Sequence, residues 1–111
     1  MNGTSKKARE QFRAFAARPG MFVFESYDDV ASFIAGIDYA HDYALLDGFH
    51  DWLEASLGAK SPLAWSEQIK QAYGGMSDDE KRPFGKEPAS YLLAQIERFL
   101  DEQDVTAVAA Q

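Results

Sequence analysis

Cysteine is absent from the 111-residue chain, which excludes disulfides and thiolate metal sites and fits a reducing compartment. Long apolar runs are missing too: the longest unbroken hydrophobic stretch is four residues, as in Met21–Phe24 or Tyr43–Leu46. A membrane span needs about 20 such residues and a signal-peptide core at least about 7, so neither is expected. Histidine occurs twice, as His41 and His50, which narrows the scope for metal ligation and acid–base catalysis. No G-x-S-x-G elbow, P-loop, G-x-G-x-x-G or H-E-x-x-H is found. The most local absence is of positive charge, since residues 19–59 contain no Lys or Arg. The expectation from these absences is a soluble, cytoplasmic domain.

What is present is an ordinary globular mixture, 46% hydrophobic and 26% charged, enough for one core. The formal charge of −7 is unevenly spread. Lys6, Lys7, Arg9, Arg13 and Arg18 against Glu10 make residues 1–18 net basic. Glu25, Asp28, Asp29, Asp38, Asp42, Asp47, Asp51 and Glu54 then stand with no basic neighbour in the chain. Such a stretch repels nucleic acid and anionic lipid and attracts a basic protein. The plainer reading of the same charge is solubility.

Apolar spacing is helical throughout. Residues 5–17 form a helix carrying Phe12, Phe15 and Ala16 on one side, stopped by Pro19-Gly20. Met21–Phe24 is a short extended arm, without a second strand of comparable strength to pair with. Ser26 is the N-cap of the next helix, whose buried stripe is Val30, Phe33, Ile34, Ile37 and His41. A third helix spans about Asp47 to Leu57, with Phe49, Trp52, Leu53 and Leu57 inward and Gly58 as its stop. Ser61-Pro62 opens a fourth as N-cap and first helical position, with Trp65, Ile69, Ala72 and Tyr73 inward and Gly74-Gly75 at its end. Ser77-Asp78-Asp79-Glu80 has capping-box spacing for one short turn. The last helix, from near Glu87 to Gln103, buries Leu92, Leu93, Ile96, Phe99 and Leu100. The expectation is an all-α fold of about five amphipathic helices in one domain, residues 1–104, with a mobile tail over 105–111.

Asp47, His50, Asp51 and Glu54 are the one constellation that invites chemistry. On a continuous helix their spacing places all four on one face, with Asp38 and Asp42 on the preceding helix as the further ligands a divalent-ion site would need. A solvated helix face would show the same residues, and no metal or other cofactor is expected. His41 reads as a hydrogen-bonded packing residue rather than a catalytic one. The basic first helix lacks an aromatic stacking platform, so nucleic-acid binding is not expected either.

Like charges four residues apart, as at Asp38/Asp42 and Asp47/Asp51, cost a helix about 0.2–0.5 kcal/mol per pair. Tyr27, Tyr39 and Tyr43 lie among these acids. Tyrosine with carboxylate suits a surface that docks on a basic protein cleft. The segments Arg18-Pro19-Gly20-Met21-Phe22-Val23, Ser32–Gly36, Leu45–Leu53 and Pro62-Leu63-Ala64-Trp65 resemble a family of small acidic helical proteins found beside bacterial polymorphic toxins, including those of contact-dependent inhibition systems. The likeness covers residues 18–73 and the last helix. It implies a non-enzymatic immunity protein that binds one cognate toxin in the cytoplasm, with no small-molecule substrate. The expected partner-binding residues, read from charge and not from the family, are Asp38, Tyr39, Asp42, Tyr43, Asp47, Asp51 and Glu54. Two other readings remain open, a helical adaptor with a different partner and a small metal-dependent enzyme.

Overall fold

The computed structural model describes residues 3–17, 26–58, 60–85 and 88–109. Among them the chain is all-α: α1 (Gly3–Ala17), α2 (Tyr27–Ala40), α3 (Phe49–Leu57), α4 (Trp65–Gly74), α5 (Asp78–Lys81) and α6 (Ala89–Ala109), with no strand. The arm at Met21–Phe24 and the stop at Pro19-Gly20 lie outside the described residues. Contacts group the chain into two units, residues 1–47 and 48–111.

In the first unit α1 packs on α2. Phe12 and Phe15 of α1 are buried, as are Val30, Ile34 and Ile37 of α2, and the Phe15 and Phe33 rings lie 4.8 Å apart. Each fully buried side chain of this size contributes about 1.5–3 kcal/mol. Ser26 caps α2 as its sequence position requires: its hydroxyl accepts the Asp29 N–H at 3.2 Å, while Asp28 and Asp29 meet the positive end of the helix dipole. Tyr27 is buried, so it belongs to the core rather than to an acidic docking surface.

The C-terminus of α2 departs from the sequence expectation. The helix ends at Ala40, and His41, Asp42 and Tyr43 form a turn. Asp42 and Tyr43 both adopt positive φ, 57° and 62°. The Tyr43 N–H reaches back to Asp38 O at 2.7 Å and the Asp42 N–H to Tyr39 O at 3.2 Å. This is the Schellman pattern, with aspartate where glycine usually stands. Asp38 and Asp42 are therefore not a helical i,i+4 pair, and His41 caps the helix instead of extending its buried stripe.

In the second unit α4 and α6 pack with α3. Phe49 is wholly buried and meets Trp52, Trp65 and Phe99 at ring distances of 5.8, 6.1 and 5.2 Å. A second aromatic group joins Tyr73, Phe84 and Tyr91. The Tyr73 hydroxyl donates to Gly85 O, tying α4 to the turn after α5. Ser77 and Glu80 make the full capping box, each side chain reaching the other's backbone N–H.

Three boundaries shift. α3 begins at Phe49, because Gly48 takes φ 86° and breaks the helical path, leaving Asp47 outside. Leu57 at its far end is exposed, while Gly58 (φ 80°) ends the helix as expected. α4 begins at Trp65, not at Pro62: the Ser61 hydroxyl accepts the Leu63 N–H at 3.1 Å and closes a turn ahead of the helix. α6 runs through Ala109, six residues past Gln103, with no Gly or Pro in the added stretch to break it.

Candidate functional site

The acidic, tyrosine-bearing residues separate into those that hold the fold and those that face solvent. Asp38, in the last turn of α2, is half-buried and its Oδ1 accepts the Leu46 N–H at 2.9 Å. It pins the loop after α2. Tyr39 and Tyr43 are 70% and 61% exposed, and their rings meet edge to face at 5.7 Å. Asp42 lies exposed between them in the chain, and Asp47 is exposed at the end of the same loop. The Schellman turn thus holds two aromatic side chains outward. A non-glycine residue in this region costs about 1–2 kcal/mol. Beside the turn, His41 Nε2 lies 2.8 Å from Gln11 Oε1, joining α2 to α1.

The second unit treats its acids differently. Asp51 is exposed in the first turn of α3. Glu54 is drawn in: its Oε2 accepts the Ser61 N–H at 2.7 Å and lies 3.4 Å from His50 Nε2. The expected face of Asp47, His50, Asp51 and Glu54 does not form, because Gly48 separates Asp47 from the helix and Glu54 is committed to the loop. Among the described residues no group of three or more His, Asp or Glu is arranged to hold a metal ion. No described helix is long and apolar enough to cross a membrane.

The same network contains a residue that charge patterning passed over. Gln68 of α4 is only 4% exposed. Its Nε2 donates to Leu63 O at 2.9 Å and lies 3.1 Å from His50 Nδ1. A carbonyl only accepts, so the nitrogen assignment of Gln68 is settled by Leu63, and His50 Nδ1 must accept. The His50 proton then sits on Nε2, facing Glu54. Gln68 Oε1 is left buried without a partner. The available signal was spacing, since Gln68 falls on the same helical face as Trp65, Ile69 and Ala72.

Comparison with known protein families, with curated proteins and with solved structures finds no match to this chain.

Proposed function

We propose that this chain is a non-enzymatic immunity protein that neutralises a cognate bacterial toxin, docking the end of α2 on a basic surface of that toxin. The observation that carries the reading is the pair of exposed tyrosines, Tyr39 and Tyr43, held on a left-handed turn with Asp42 inside an acidic stretch. Tyrosine supplies rigid contact area at low entropic cost, and carboxylates complement Lys and Arg. Tyr39, Asp42, Tyr43 and Asp47 are the contact residues of this reading. Asp38 supports the loop that carries them. The absence of basic residues over 19–59 steers a cationic partner, raising association rates by about 10–10³-fold at low salt.

The test is co-expression with the product of a toxin-like reading frame adjacent to the gene. The expected result is a stable complex and restored growth. The double variant Tyr39→Ala/Tyr43→Ala should weaken the complex roughly 100-fold, the sum of two moderate hot spots. Asp47→Lys should slow association chiefly at low salt. Unchanged affinity in both variants, with folding intact, would remove this surface from the interface. No complex with the neighbouring product would remove the immunity reading itself.

A further inference from the structure

Among the described residues three large apolar side chains are exposed, Tyr39, Tyr43 and Leu57, and the two tyrosines touch. Their ring centroids lie 5.7 Å apart and the ring planes stand at 77° to each other, so the pair makes an open corner with two aromatic walls. The face of an aromatic ring attracts a cation placed within about 6 Å of its centroid. At the observed separation one cation can lie within that reach of both rings. The backbone beneath the corner is held from several sides. Asp38 Oδ1 accepts the Leu46 N–H at 2.9 Å, the Tyr43 N–H donates to Asp38 O at 2.7 Å, and His41 Nε2 lies 2.8 Å from Gln11 Oε1. A guest therefore meets walls whose backbone is already in place, and binding loses less to ordering.

The charge around the corner selects the guest. Asp42, between the two tyrosines in the chain, and Asp47, at the end of the same loop, are exposed carboxylates, and residues 19–59 contain no Lys or Arg. Two basic side chains could answer them. The lysine ammonium is compact and strongly hydrated, whereas the arginine guanidinium is planar, less strongly hydrated, stacks on aromatic faces and donates to a carboxylate through a fork of N–H groups. We propose that the Tyr39–Tyr43 corner seats one arginine side chain of the toxin partner, with Asp42 supplying the counter-charge, an assignment that rests on the docking reading above. It demands more than that reading does. Contact area is supplied by any bulky apolar side chain at positions 39 and 43, but arginine capture needs the aromatic faces themselves.

The probes are two capped peptides of equal charge and length, acetyl-Gly-Arg-Gly-Arg-Gly-Arg-amide and its lysine counterpart, titrated into the full chain at low salt. The readout is the NMR shift of the Tyr39 and Tyr43 ring protons. Equal charge makes long-range attraction the same for both, so a difference in affinity reports the head group. The arginine peptide should bind about two- to fivefold more tightly, the size of a cation–π contact at an exposed site. Tyr39→Phe/Tyr43→Phe keeps the rings and should keep this preference. Tyr39→Leu/Tyr43→Leu keeps apolar bulk without the aromatic faces and should remove it. Asp42→Asn keeps a residue that tolerates the left-handed region and should weaken both peptides. Equal affinity of the parent for the two peptides, a preference that survives the leucine variant, shifts confined to other residues, or an Asp42→Asn variant that binds as the parent does would each overturn the assignment. The docking reading is judged separately by the toxin complex. If Tyr39→Ala/Tyr43→Ala breaks that complex while the parent binds both peptides equally, the interface stands and the arginine is discarded. If no complex forms but the arginine preference follows the rings, the corner stands and the immunity reading is lost.

Discussion

The two units spend the same residue types in opposite ways. In residues 26–47 two of three tyrosines project into solvent, and two aspartates of the loop after α2 stay exposed with them. In residues 48–111 Tyr73 and Tyr91 are buried, and Glu54 is consumed by a loop amide and a histidine. The helix ends repeat the contrast. α3 closes on Gly58, which takes φ 80° at little steric cost, whereas α2 closes on Asp42 and Tyr43 in the same region without glycine. Glu54 and Gln68 of the second unit hold loops in place, whereas Tyr39, Asp42 and Tyr43 at the end of α2 stay exposed, Asp42 and Tyr43 at a conformational cost.

The strongest way to break this comparison is to truncate a tyrosine on each side. Tyr73→Ala removes a buried ring from the Phe84–Tyr91 group and the donor to Gly85 O, and should cost about 3–5 kcal/mol in urea unfolding. Tyr39→Ala should stay within about 0.5 kcal/mol of the parent, as an exposed substitution. Comparable losses from both would show that Tyr39 is structural and would weaken its assignment as a contact.

A smaller effect separates the helix ends. Gly58→Ala places a side chain at φ 80° and should destabilise by about 1–2 kcal/mol, although no atom lies near enough to clash. Asp42→Gly should act in reverse, gaining about 0.5 kcal/mol once glycine's entropy cost is set against the relieved strain. Thermal denaturation of the two variants reads both signs. Destabilisation by Asp42→Gly would mean that the aspartate side chain, not the turn, stabilises the end of α2.

The smallest effect concerns Glu80, whose titration is displaced by local bonds. Hydrogen bonds from the Ser77 backbone and side chain hold the Glu80 carboxyl below the ordinary glutamate range. A lowered folded pKa means that the capping box stabilises at neutral pH and loses that contribution as pH falls through the folded value. NMR titration should place the Glu80 midpoint below that of free glutamate, and Ser77→Ala, which keeps the backbone N–H, should return it only part of the way upward. An identical midpoint in the variant would show that the Ser77 hydroxyl contributes nothing to holding the ionised form.

Much of this was legible in the chain because it is local. The Ser26 cap, the Ser77–Glu80 box and the Gly58 stop depend on residues within one helical turn, and the apolar stripes follow from spacing alone. The all-α class follows from the same periodicity. Tertiary structure decided what periodicity does not encode: that Tyr27 is core while Tyr39 is exposed, and that Asp38 answers Leu46 and Glu54 answers Ser61. It also decided that Gln68, 18 residues from His50, would meet it and keep one buried oxygen unpaired. A helix cap is chosen by neighbours in sequence, but the partner of a carboxylate or an amide is chosen by whichever loop or helix the packing brings against it.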